Sequence, residues 1–260
     1  MASTTSERVV ERLMERAGTT YAEEAGIRLR DKPMPLFQLL ILCMLASKPI
    51  DAAIAMRAAR ELFRAGLRTP HAMLDAQRAD LIKAFGRAHY VRYDESSATR
   101  AVDIATTVKD EYGGDLRRLA TASAREIDTA KALLERFKGI GDTGADIFLR
   151  EVQDTWTWVR PFFDDRARDT ARELGLPADV DKLAALAPRR SATLAAALVR
   201  VSLDDDLRSD LKTDLLGTSR RRRRCRYTRS AFFHSFTSVY RGPMASSVAR
   251  WVGLRSRAFS

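Results

Sequence analysis

The sequence predicts an all-α fold, and three features carry that prediction. Ala, Leu, Arg, Glu and Asp dominate residues 1–217, and the straight-chain members of that set lose little rotamer freedom in a helix. β-Branched runs are scarce. Apolar residues recur at three- and four-residue spacing between Gly, Pro and Asp punctuation, the pattern of amphipathic helices.

The elements follow in order. Val9, Val10, Leu13 and Met14 place a helix over 5–16. Pro33 and Pro35 break the chain before 36–45, apolar enough for a buried core helix. Ala53, Ile54, Ala58 and Leu62 mark a helix over 50–62. Thr69-Pro70 is an N-cap followed by proline at the first helical position. It opens a helix through Met73 and Leu74, and a short helix follows over 79–84. The stretch 93–112 is long and amphipathic, and Gly113-Gly114 stops it.

Residues 133–152 read as helix, tight glycine turn, helix. Leu133, Leu134 and Phe137 end one apolar face; Gly139 and Gly141 bracket Ile140; Ala145, Phe148, Leu149 and Val152 form the next buried stripe. Such a turn is either a plain helix stop and restart or an anion cradle, since backbone N–H groups at a helix N-terminus bind phosphate without side chains. Trp156 and Trp158 alternate and suggest a short extended piece. Helices over 165–174, 181–186 and 191–203 complete the pattern.

Charge is distributed unevenly. The chain has 45 basic and 34 acidic residues, a formal +11. Residues 218–260 hold eleven arginines and no acidic residue, so residues 1–217 are formally neutral. Bulk charge therefore says nothing about the helical part, and any nucleic-acid contact there rests on local arrangement. The segment 218–260, with its run Arg220–Arg224, reads as a flexible basic tail, as a non-specific nucleic-acid grip, or as sequence foreign to the domain. No apolar run is long enough to span a membrane, and no apolar signal core opens the chain. Cys43 and Cys225 cannot build a disulfide framework, so a cytoplasmic setting is expected. His71, His89 and His234 lack zinc-ligand spacing.

Taken together, several segments resemble the helix-hairpin-helix DNA glycosylases of the endonuclease III type. They are Pro35 to Asp51, Arg68 to Leu74, Gly86 to Ser96, Tyr112 to Asp115, Phe137 to Ala145, and the helix from Asp164 to Leu174-Gly-Leu176. The resemblance covers roughly residues 30–203, with domain boundaries at 1–217 and 218–260. It implies a base-excision repair protein that binds double-stranded DNA, works as a monomer near the nucleoid, and uses no membrane. The hairpin would hold a phosphate through Gly139, Gly141 and Thr143, with Lys138 beside the turn. Carbonyls of Glu135, Phe137 and Ile140 match positions that hold a monovalent cation in the family. Lys48 stands where the family places a gap-filling glutamine, and a lysine there suits a DNA phosphate contact in place of a wedge.

The departures narrow the chemistry. Bifunctional members carry a nucleophilic lysine in the hairpin; here Thr143 stands there, and threonine cannot form an imine. Strand cleavage is not expected. The family's four-cysteine iron–sulfur cluster has no counterpart, since only Cys225 follows the last helix. What remains is hydrolytic release of a damaged or mispaired base, with an aspartate stabilising positive charge on the sugar and orienting water. Asp164 is the candidate and Asp165 its neighbour in register; both also fit helix capping. Two alternatives stay open: a DNA-binding protein without catalysis, and a helical interaction domain that does not touch DNA.

Overall fold

The computed structural model describes residues 5–215, and the basic segment 218–260 with its cysteine and His234 lies outside them. Among the described residues the secondary structure is entirely helical, and no helix is long and apolar enough to cross a membrane. The helices are α1 (Thr5–Ala17), α2 (Tyr21–Glu24), α3 (Pro33–Ala46), α4 (Ala52–Arg64), α5 (Pro70–Asp75), α6 (Arg78–Arg87), α7 (Asp94–Tyr112), α8 (Arg117–Ala122), α9 (Ile127–Glu135), α10 (Asp142–Val152), α11 (Asp165–Glu173), α12 (Val180–Ala185), α13 (Ser191–Leu203) and α14 (Asp205–Leu215).

Local chemistry sets most of the boundaries. The Thr69 hydroxyl accepts the Ala72 amide at 3.2 Å to start α5. Gly113, at φ +59, ends α7 in the left-handed conformation that glycine adopts freely. Three helices escape the apolar-periodicity reading. α2 has only four residues but carries a reciprocal Thr20–Glu23 capping box. α8 is a short piece between turns, and α14 is strongly charged. Pro33 does not break the chain but occupies the first turn of α3, where its missing N–H costs nothing. The Trp156–Trp158 stretch is a series of turns and not extended. Trp156 is buried there against Phe148, with ring centroids 5.6 Å apart, and donates its indole N–H to Asp31 Oδ1 at 3.0 Å.

The helices pack around two apolar cores. One runs through α2–α10 and is centred on α3, whose residues Leu36–Leu45 are all buried. The other joins α1 to α11–α14, so both ends of the described chain build it. α3 and α10 lie against each other and run antiparallel. Ser47, capping the end of α3, approaches Gly144 at the start of α10, while Trp156 beyond α10 bonds Asp31 before α3.

Candidate nucleic-acid interface and carboxylate site

The predicted hairpin forms between α9 and α10. Gly139 turns the chain at φ +95, and Ile140 plugs it from below, buried with its amide on the Phe137 carbonyl at 2.9 Å. Gly141 is the N-cap of α10 and supplies no side-chain oxygen. The amides of Asp142, Thr143 and Gly144 therefore lack a cap at a helix N-terminus. Gly141 and Thr143 are exposed, and a Cβ on Gly141 would meet nothing within 4 Å. An anion can thus approach the backbone. Lys138 is exposed on the turn, and half-buried Lys48 follows Ser47, whose Cβ comes within 3.7 Å of a Cβ built on Gly144. The structure so gathers Gly139, Gly141, Thr143, Lys138 and the Lys48 loop at one end of the α3–α10 pair.

Charged residues line α10 at every fourth position from the clamp inward: Asp142, Asp146 and Arg150, over about 12 Å of helix. Lys131 of α9 lies between the first two, 2.7 Å from Asp142 and 2.6 Å from Asp146. Burial alone would lower the Lys131 pKa, but its bonds to the two carboxylates outweigh burial and raise it. This ammonium holds its proton. Shared between two carboxylates, it offsets only part of the Asp142 charge at the start of α10. Asp146 is half-buried; burial raises its carboxyl pKa, Lys131 opposes the rise, and the like charges of Asp142 and Asp164 add to it.

Asp164 caps α11, accepting the Ala167 amide on Oδ1 at 2.8 Å. Its other oxygen accepts from Arg150 at 2.6 Å. The pair is nearly enclosed, with side chains 3% and 9% exposed for Arg150 and Asp164. Buried Gln153 positions the segment leading to Asp164 by clasping the Phe162 backbone, taking its N–H at 2.9 Å and donating to its carbonyl at 2.9 Å. Asp165, by contrast, is exposed and pairs with Arg168 one turn on. Asp164 is thus the enclosed carboxylate of the two, and it is both cap and ion-pair partner.

Arg150 has further partners. Its guanidinium lies 5.3 Å from the Tyr21 ring centroid, and Arg200 of α13 takes the same ring at 5.1 Å while pairing with Glu24. Glu151, fully enclosed, accepts the Ala22 amide at 2.9 Å; burial raises its pKa, and Arg150 and the α2 amides oppose the rise. This network ties α2, α10, α11 and α13 together at the seam of the two cores. Lys131, Asp146, Arg150 and Glu151 were not singled out by the sequence reading. The signal for Asp146 and Arg150 was the 142/146/150 spacing beside the apolar stripe 145/148/149/152.

No family model and no curated protein matches the chain. A solved structure, described as a trapped endonuclease III–DNA covalent intermediate in an estranged-adenine complex, is similar over 76% of this chain and 85% of its own, at 15% identity and a TM-score of 0.42. A likeness at that level assigns no family to the chain.

Proposed function

We propose that this chain binds double-stranded DNA through the 139–143 hairpin and acts as a monofunctional base-excision protein, releasing a damaged or mispaired base by hydrolysis. The observation that carries the binding reading is the uncapped, exposed start of α10, with open space at Gly141 and cationic side chains beside it. Asp164 supplies the chemistry as a fixed anion. Each of its oxygens holds one N–H donor and keeps a lone pair, so it can stabilise positive charge building on the sugar as the base departs. The base must leave the stack to reach it. Position 143 carries a threonine, which cannot form an imine, and Lys131 is held by two carboxylates, so neither supplies a free amine for imine chemistry.

A second reading has its own support. The Arg150 guanidinium at 2.6 Å neutralises much of the Asp164 charge, which suits a clamp that binds without cutting.

Incubating the full chain with duplexes carrying single lesions separates these readings. The catalytic reading expects abasic sites that break only with alkali, no borohydride-trapped adduct, and loss of release in Asp164→Asn with DNA binding retained. Full release by that variant refutes the role of Asp164. Binding without release across all lesions favours the silent clamp. Unchanged DNA affinity in Gly141→Arg refutes the hairpin as the grip.

A further inference from the structure

Gly139, which turns the hairpin, has its empty side filled from another helix. A Cβ built there would lie 3.1 Å from Arg100 Cγ and 3.3 Å from both Cβ and Cδ of the same side chain. The aliphatic stem of Arg100, on α7, therefore lies across the turn. Nε follows Cδ directly, so the guanidinium begins beside Gly139. Gly139 stands two residues before Gly141, the N-cap of α10, and two residues span at most about 7 Å. Arg100 is thus mounted at the cradle itself. α7 meets the same turn again further on, through the stacked Tyr112 and Phe137 rings and the pair of Glu111 with Arg136.

The stem packs on the turn, yet the side chain as a whole is 43% exposed, so the head group faces solvent. It donates to Asp103 Oδ2 at 2.9 Å, three residues along the same helix. An exposed pair of that kind is weak. A phosphate offers the planar guanidinium two oxygens at once, which is the stronger match. Two other cations at the turn are already engaged: Arg136 reaches back to Glu111, and Lys131 is held by Asp142 and Asp146. We infer that Arg100 is a second anchor for the strand held by the hairpin. Its guanidinium leaves Asp103 and takes a phosphate no more than about two nucleotides from the one at the cradle, at 3.4 Å of axis per nucleotide. This rests on the DNA reading of the hairpin. Asp103 is the resting partner: it keeps the guanidinium at the turn and competes with the incoming backbone for it.

The test is the salt dependence of binding to a labelled 20-base-pair duplex, measured by anisotropy for the full chain and its R100Q, R100K, D103N, R100Q/D103N, R64Q and G141R variants. Glutamine and lysine both keep the β, γ and δ carbons, so the packing on Gly139 is retained and only the head group changes. R100Q is expected to bind more weakly at low salt, with a slope of log K against log salt shallower by about 0.9, and to melt as the wild type does. R100K should keep the wild-type slope. D103N should bind more tightly, and that gain should shrink in R100Q/D103N. Arg64 pairs with Glu61 in the same three-residue spacing, but at the far end of α4, about 20 Å along that helix from the Lys48 loop. R64Q should leave the slope unchanged. An unchanged slope in R100Q overturns the inference, as does an equal loss of slope in R64Q. Equal loss of binding and of melting temperature in R100Q and R100K shows a structural role and also overturns it. A gain from D103N that is as large without Arg100 refutes the exchange of partners. G141R separates the two claims. Weakened binding in G141R with R100Q unchanged refutes the Arg100 anchor alone. A shallower slope in R100Q with G141R at full affinity refutes the hairpin and keeps Arg100 as a backbone contact. No DNA binding by the wild type refutes both.

Discussion

Asp146 shows how one position can be set against its own ionisation. It lies half-buried, shares a single ammonium with Asp142, and has Asp142 and Asp164 as like-charged neighbours, so its protonated form is favoured. A carboxyl with a raised folded-state pKa contributes stability that is present below the unfolded value, about 3.9, and is lost as pH rises through the folded value. Carboxyl-carbon NMR should therefore find Asp146 titrating above an ordinary aspartate, and Lys131→Met should move it higher still. A midpoint at or below the ordinary value would show that the Lys131 pair dominates burial. Asp164→Asn differs in kind: asparagine still caps α11, but the Arg150 partner loses its charge.

At the scale of the element, the two glycines of the hairpin have opposite tolerances. Gly139 sits at φ +95, and a Cβ there would lie 3.1–3.3 Å from the Arg100 side chain. Gly139→Ala is expected to cost about 1–2 kcal/mol from the left-handed backbone alone, read as a lowered melting temperature. Gly141 has φ −111 and open space, so Gly141→Ala should leave stability unchanged while weakening DNA binding, because the methyl group occupies the approach to the backbone. Equal melting losses in the two variants would refute this division. Here the sequence was most legible. The Gly-Ile-Gly turn, the 145/148/149/152 stripe and the Thr69 cap all mark elements that local rules specify. α2 and α8 were not legible because four- and six-residue helices show too little periodicity, and α14 because charge masks its few apolar contacts.

At the scale of the molecule, the seam between the two cores is polar and enclosed. Arg150 is set between Asp164 and Glu151. Removing one partner of a buried ion pair leaves an uncompensated charge, which costs about 3–5 kcal/mol. Arg150→Met should therefore lower the melting temperature by roughly 10 °C for a chain of this size. Adding Asp164→Asn to Arg150→Met should recover part of that loss, a coupling of about 0.5–3 kcal/mol. Strict additivity would refute the pair as an energetic unit. Because Asp164 belongs to α11 and Arg150 to α10, this pair also links the proposed chemistry to how the two cores meet.

What the sequence by itself determined is what neighbours in the chain decide: an all-helical class, the glycine turn, the caps at Thr69 and Asp164, and a threonine, unable to form an imine, at position 143. Each depends on backbone geometry or side-chain identity within a few residues. Only the tertiary structure decided which charges face one another. It brought the Lys48 loop to the hairpin, set Lys131 between Asp142 and Asp146, and enclosed Asp164 against Arg150. Pairing of this kind depends on burial and on contacts across helices far apart in the chain, and a formally neutral composition gives no sign of where the paired and unpaired charges fall.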